Sequence, residues 1–354
     1  MMNIFLIYGG KSAEHDVSIL SAHSILKEIY YDYYTVQPVY ITREGDWIAG
    51  EMIHSAENLL TKEEMVLELG TEAKAFDLMQ LKAPDSIAFP VLHGPNGEDG
   101  TIQGMLEMMS VPYVGAGVLT SACGMDKAVS KKLFNAAGIP QVPYISIRKA
   151  DWRVNKEESM GACEDALVYP MFVKPANLGS SIGISKATTP SELEKAIQFA
   201  FEYDRHIVVE QGIDARELEV AVLGNEDINT SVPGELVKEQ SFYDYKAKYL
   251  NNEVTLEIPA NVTPEVKKQL RKYAADAFLA IEGNGLSRVD FFLTKDGKIY
   301  INEINTFPGF TQFSMYPRLW EKTGLAYGDL IEELIQLGLQ RHEEKNSYAA
   351  RERE

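Results

Sequence analysis

The sequence predicts a mixed α/β (α+β) protein, and three observations carry that prediction. Short apolar runs of strand length, such as residues 3–8 and 86–92, alternate with longer segments whose apolar residues recur at helical spacing. The first run stops at Gly9-Gly10 and leads into a helical pattern, which is a Rossmann-like opening. Near the far end, residues 286–308 read as two strands around Asp296-Gly297. That dipeptide is a two-residue hairpin signal, because both central residues of a type I′ turn need positive φ.

The 354 residues are enough for two or three domains and a sizeable core. At 45% hydrophobic and 24% charged, the composition is that of a soluble globular chain. A net charge of −18 argues against nucleic acid as a partner, since phosphate backbones need basic surface, but leaves room for a small anion in a local basic pocket. Cys123 and Cys163 are too few for a disulfide framework, and the histidines are scattered with no HExxH. No apolar run is long enough to span a membrane. The N-terminal MMNIFLIYGG lacks a basic n-region and a small-residue cleavage site, so a cytoplasmic location is expected.

After the first strand, residues 10–29 read as a loop running into a helix with Ile19, Leu20, Ile25, Leu26 and Ile29 on its apolar face. Gly10-Lys11-Ser12 matches the end of a Walker A loop, but Phe5 stands where the first glycine must be, and no GxGxxG occurs. What remains is Glu14 and His15 at a helix mouth, where an acidic residue also suits the helix dipole. Residues 35–42 form a second strand and 44–46 a turn, while 50–80 are acidic and weakly patterned. The strand at 86–92 ends in HGPNGEDGTIQG (93–104), either a ligand loop at a strand's C-terminal end or a structured turn, with His93 and Glu98 as its notable side chains.

Residues 111–114 are a short apolar run, and a domain boundary falls near 125. Asp126 then opens an amphipathic helix that ends at Gly138, with Pro140 beyond it. Lys127 lies in its first turn, where the helix dipole disfavours a cation; an anionic ligand would account for it. Residues 167–174 form a strand ending at Lys174. The following Gly179-Ser180-Ser181-Ile182-Gly183 is either a plain hairpin turn or a set of backbone N–H groups around a polyphosphate. Ser191 caps a helix to about Tyr203, the strand 206–211 carries Glu210, and the strand 218–223 is preceded by Glu217.

The connection 233–259 is rich in Tyr, Lys and Asp and lacks periodicity, as in a lid or an interface loop. Lys246, Lys248 and the aromatics Phe242, Tyr243, Tyr245 and Tyr249 would suit closure over phosphate. Thr263 opens a helix to Ile281 with Pro264 at its first position. A closing helix spans about 327–341, followed by a frayed charged tail.

Counting outward from an Asp296-Gly297 turn sets Asp290 opposite Glu303 and Arg288 opposite Asn305. Residues two apart share a face, so these four point one way, and Val289, Phe291, Leu293, Tyr300 and Ile304 point to the core. Two carboxylates across a ladder repel unless a cation lies between them. Oxygen donors without His or Cys favour a hard ion, Mg²⁺ before Zn²⁺.

GGKSAEHDVS, HGPNGEDGTIQG, GMDK, FVKPANLGSSIGISK, FYDYKAKY, RVDFF and NEINTFPGFT together resemble the ATP-grasp ligases, and among them the D-alanine–D-alanine ligase family. They recur in family order from residue 9 to residue 314. The resemblance implies an ATP-grasp fold with a Rossmann-like N-terminal domain (1–125), a central subdomain (126–212) and a C-terminal subdomain (213–354) with a lid at 233–259. It implies ATP-dependent, ADP-forming ligation of two D-alanines through an acyl phosphate, for peptidoglycan precursor synthesis. Two Mg²⁺, with Mn²⁺ as a substitute, would sit on Asp290, Glu303 and Asn305. Lys127, Lys174, Ser181 and Lys248 would contact ATP phosphates, Glu210 the adenine and Glu217 the ribose. Glu14 would hold the first D-alanine's ammonium in a group with Ser180 and Tyr249. Arg288 and the Gly309 N–H would form the oxyanion site, Ser314 would hold the second D-alanine's carboxylate, and His93 would lie near the first substrate. A homodimer is implied, with neither nucleic acid nor membrane as partner. A D-alanine–D-lactate ligase and a nucleotide-binding protein without turnover are the alternatives.

Overall fold

The structure is a computed structural model that describes residues 1–70, 73–237 and 255–351. Among these, the chain begins with β1 (Met2–Gly9), α1 (His15–Leu26), β2 (Tyr34–Ile41), β3 (Trp47–Ala49), β4 (Lys74–Ala75) and β5 (Ser86–Val91). They make a five-stranded sheet in the order β4-β3-β2-β1-β5, with β1 parallel to both β2 and β5. Period-two alternation sends Ile4, Leu6 and Tyr8 to one face and Phe5 and Ile7 to the other, and both faces are covered. The weakly patterned 50–80 stretch supplies part of that cover: Met65 is buried, and its carbonyl accepts the Tyr8 hydroxyl at 2.8 Å.

Next come α2 (Thr101–Met108), α3 (Val118–Met125), α4 (Lys127–Ala136), β6 (Tyr144–Arg148), α5 (Lys149–Val154), α6 (Lys156–Ala166), β7 (Met171–Pro175), β8 (Ser185–Ala187), α7 (Pro190–Tyr203) and β9 (His206–Gln211). The Asp126 carboxylate caps α4 by accepting from the Ala128 and Val129 N–H groups, as the sequence predicts. For α7 the cap is Thr189 and not Ser191: with Pro190 at the first helical position, only the residue before it can be half-in, and its hydroxyl accepts from Glu192 N. The second sheet runs β6-β9-β7-β8.

The last third holds β10 (Ala215–Gly224), β11 (Asn229–Thr230), β12 (Gly234–Val237), β13 (Thr255–Glu257), α8 (Pro264–Ala280), β14 (Gly285–Thr294), β15 (Ile299–Asn305), α9 (Met315–Thr323) and α10 (Tyr327–Arg351). The third sheet is β13-β12-β10-β14-β15, with β11 on β10. The ends of the expected 233–259 loop are therefore strands, pairing Glu235 with Glu257 and Val237 with Thr255. Its interior, with Lys246, Lys248 and Tyr249, lies outside the described residues. The expected frayed tail is instead helical through Arg351.

The β14–β15 hairpin differs from expectation in two ways that cancel. Its loop has three residues, closed by Thr294 N–H to Lys298 O at 3.0 Å, with Gly297 at φ +82°. A three-residue loop alone would shift the register by one and turn Glu303 toward the core. A bulge restores it: Phe291 pairs with Ile301, whereas Asp290 pairs with Glu303 and Arg288 with Asn305, so Asn302 is extra. Tyr300 consequently does not join the core with Val289, Phe291, Leu293 and Ile304; Ile299 and Ile301 do.

Candidate active site

The three sheets contribute to one cleft, lined by Glu14, His93, Lys127, Ser180, Arg288, Glu303, Asn305 and Gly309 among others. Eight of the sequence-predicted residues thus meet, from segments up to 295 positions apart (14 to 309).

Glu14 sits at the mouth of α1. Its N–H donates to Ser12 Oγ at 2.9 Å, and Ser12 in turn donates to His93 O at 2.7 Å, which ties the two glycine-rich loops together. His15 fixes the first loop from behind, with Nδ1 at 2.6 Å from Gly10 O and Nε2 at 3.0 Å from Tyr40 Oη. The buried His93 ring is held by Ser21 Oγ at 2.9 Å. Gly94 favours glycine: its φ is +77°, and a Cβ would lie 2.6 Å from Glu14 Oε2, so a larger residue would displace that carboxylate. Ser180 donates its hydroxyl to Glu14 Oε1, joining the β7–β8 turn to α1. In that turn Ser180 and Ser181 both have left-handed backbones, at φ +53° and +59°. Two consecutive non-glycine residues in that region store strain that regular packing does not require, and such strain clusters at ligand turns.

The third sheet adds an acidic row. Glu219 on β10 pairs with Asp290 on β14, which pairs with Glu303 on β15. Arg288 balances it, with Nε 2.9 Å from Glu219 Oε2 and a forked contact to Asp290 at 2.7 Å through both Nε and a terminal nitrogen. Asn305 donates to Asp290 Oδ2 at 3.0 Å, and Lys127 reaches Glu303 Oε2 at 3.4 Å and Leu178 O at 2.7 Å. Among the described residues, no group of three His, Cys, Asp or Glu side chains is placed to hold a metal ion by itself. Two carboxylates with an amide oxygen nevertheless suit a hard cation that completes its shell with substrate phosphates and water.

Beside the cleft lies a buried charge cluster. Glu210 on β9 meets Lys174 Nζ at 2.7 Å and Lys131 Nζ at 2.9 Å. Burial pushes the Glu210 carboxyl pKa up, but the two lysines more than reverse this and hold it down at about 2. Lys174 also donates to Asn302 Oδ1 at 3.1 Å, so the bulge residue contributes a contact of its own. Lys131, Asn302 and Glu219 escape the sequence reading. Glu219 had a signal, since it shares a strand face with Glu217; the bulge that exposes Asn302 had none.

Lys174, Ser181, Glu210, Glu217, Asp290 and Ser314 do not line the cleft directly. Glu217 lies on β10, two residues from Glu219. Ser314 stands at the start of α9, where its hydroxyl accepts from Thr311 N at 3.1 Å.

Comparison with known proteins agrees with this arrangement. Residues 3–116 match the family model described as D-ala D-ala ligase N-terminus, and residues 133–336 the one described as D-ala D-ala ligase C-terminus. The chain is 54% identical over 355 residues to a D-alanine–D-alanine ligase of Enterococcus hirae, covering 98% of this chain and 99% of that one. It is 51% identical to the Bacillus cytotoxicus ligase of the same name, covering 96% of each. Among solved structures, a D-Ala:D-Ser ligase from Enterococcus faecalis superposes with a TM-score of 0.85 at 34% identity, over 95% of this chain and 99% of that one. The D-alanine–D-alanine ligase from Coxiella burnetii gives 0.83 at 33%, over 99% and 98%. A Rossmann-like sheet, a strained serine turn and an acidic hairpin face converging on one cleft, matched over nearly the whole length, place this chain in the D-alanine–D-alanine ligase family of ATP-grasp enzymes.

Proposed function

We propose that the chain joins two D-alanines into D-alanyl-D-alanine at the expense of ATP, releasing ADP and phosphate, and so supplies a peptidoglycan precursor. The observation that carries this reading is the shared cleft: the Glu14–Ser180 contact and Arg288, Glu303 and Asn305 open onto the same space, with Asp290 directly behind them in contact with Arg288 and Asn305. A carboxylate is a poor electrophile, so the γ-phosphoryl group first moves onto the carboxylate of one D-alanine, giving an acyl phosphate. Glu14 holds that D-alanine's ammonium, with Ser180 fixing the Glu14 carboxylate and His93 beside it. Lys127, Lys174, Ser181 and Lys248 take the phosphates, and Glu210 and Glu217 the nucleoside. Asp290, Glu303 and Asn305 would hold divalent cations, two Mg²⁺ or Mn²⁺, which offset charge on the transferring group. The second D-alanine, its carboxylate at Ser314, then attacks through its neutral amine. Arg288 and the Gly309 N–H meet the developing oxyanion, a contact of about 3 kcal/mol per donor.

We further propose three units, 1–125, 126–212 and 213–354, one to each sheet, with the stretch between β12 and β13 as the lid; Lys248 and Tyr249 lie in that stretch, outside the described residues. A homodimer in the cytoplasm completes the reading. Among the described residues no helix is long and apolar enough to cross a membrane.

Incubation with ATP, Mg²⁺ and D-alanine tests the function. Dipeptide identified by mass, with D-alanine-dependent ADP release, is expected. D-alanine-independent ADP formation, or none, would favour a nucleotide-binding protein without ligation. A competition with D-lactate tests the ester alternative: mainly depsipeptide near neutral pH would replace the peptide reading.

A further inference from the structure

Lys131 is 1% exposed and lies one helical turn after Lys127 on α4. Lys127 lines the cleft, whereas Lys131 does not. Its ammonium is 2.9 Å from Glu210 Oε1 and 5.1 Å from the centre of the Tyr144 ring. The other Glu210 oxygen takes Lys174 at 2.7 Å. Two buried cations therefore share one buried carboxylate. A simple structural pair would need only one lysine, and a second buried ammonium is costly to desolvate. The positions of the two lysines differ in a telling way. Lys174 also touches Asn302, next to Glu303 on the cleft-facing hairpin, while the buried Lys131 ammonium lies against Glu210 and the Tyr144 ring.

We propose that Lys131 is a positioning residue that serves as the standing counter-charge of Glu210, so that Lys174 can turn to an anionic ligand without leaving a buried carboxylate bare. With Lys131 in place the trio carries one excess positive charge, available to a nucleotide's phosphates. Without it, Lys174 and Glu210 form a closed neutral pair, and any phosphate must break that pair to gain the lysine. Removing one partner of a buried ion pair is strongly unfavourable, so the penalty falls on phosphate binding. The inference rests on the ATP-dependent ligase reading above, and it assigns Lys131 no contact with substrate.

The test is ADP binding by titration calorimetry, with kinetics alongside, on the full chain. Lys131→Met removes the charge at similar volume, and Lys131→Gln keeps a donor toward Glu210 without the charge, in case the first does not fold. Each is expected to weaken ADP binding by about tenfold, close to 1.4 kcal/mol, and to raise KM for ATP comparably. KM for D-alanine and kcat at saturating ATP should stay within about twofold. Lys131→Arg should retain most of the affinity. The decisive variant is Lys131→Met combined with Lys174→Met: because Lys131 is to act only through Lys174, the double variant should lose no more ADP affinity than Lys174→Met alone. Unchanged ADP affinity in folded Lys131→Met and Lys131→Gln, or additive losses in the double variant, would overturn the proposal. Failure of the unaltered chain to bind ADP would overturn the ligase reading as well, so the two failures are told apart.

Discussion

At the scale of residues, electrostatic balance governs the site. Glu303 is the least buried of the acidic row, with its side chain 28% exposed and the Lys127 ammonium 3.4 Å away. Glu303→Gln keeps volume and strand pairing but removes one charge from the proposed cation face. Turnover is expected to fall by roughly a hundredfold or more, about 2.7 kcal/mol in barrier, with the melting temperature nearly unchanged. Near-normal kcat in that variant would remove Glu303 from the metal set. Glu210 gives a second, pH-based expectation. Its folded pKa of about 2 lies below the reference 4.5, so the unfolded chain binds the proton first as pH falls. Its stabilising contribution is thus fully present above about pH 4.5 and is lost as pH drops toward 2. Denaturant titrations across that window should show a steeper loss for the unaltered chain than for Glu210→Gln. Parallel slopes would mean that the carboxylate is not held down.

At the scale of elements, local chemistry made the capped helices and the buried central strands legible, compensating irregularities decided the hairpin, and short helices such as α2, α5 and α6 left no clear signal. Asp126 and Thr263 announce their helices because a side-chain cap is a local bond. The Asp290–Glu303 pairing was also legible, but only because a longer turn and a bulge shift the register in opposite directions. Tyr300 and Ile301 expose that coincidence, having exchanged faces relative to simple alternation. Strands β12 and β13 were missed because their pairing is long-range and their apolar pattern weak. The cap of α7 shows the same limit on a smaller scale, since Thr189, Pro190 and Ser191 offer two candidate caps and only backbone geometry chooses. The turn itself can be probed. Gly297 has φ +82°, and a Cβ there would meet nothing within 4 Å. Gly297→Ala should therefore cost about 1 kcal/mol from backbone strain alone, read as a lower urea midpoint with unchanged activity. Gly297→Asn should cost less, because Asn tolerates the left-handed region. Equal stability of all three would show that the turn adapts its backbone.

At the scale of the whole molecule, the two ends of the chain are built into one core. Ile4, Leu6 and Ile87 of the first sheet pack in the same cluster as Leu330, Ile331, Leu334 and Ile335 of α10. The sequence hides this, because a boundary near 125 is a local feature and a core shared by residues more than 300 positions apart is not. Arg341, on α10, pins the arrangement. Its guanidinium donates to Gly115 O, to Tyr113 O at 2.9 Å and to Asn284 Oδ1 at 2.7 Å, and lies 4.3 Å from the centre of the Tyr113 ring. Asn284 in turn accepts from Gly117 N at 2.8 Å, so one side chain links α10, the segment between α2 and α3 and the turn before β14. Arg341→Ala strands these acceptors in a half-buried site, and each unsatisfied group costs about 1–3 kcal/mol, giving a loss on the order of 3 kcal/mol after relaxation. Lysine has a single ammonium and cannot reproduce a planar fork that serves three oxygens under an aromatic face, so Arg341→Lys should recover less than half of that loss. If the ends form one cooperative unit, tryptophan fluorescence and circular dichroism should shift together to the lower urea midpoint. A separate early transition, with the first sheet surviving after α10 has detached, would show that the N-terminal unit stands without the helix that covers it.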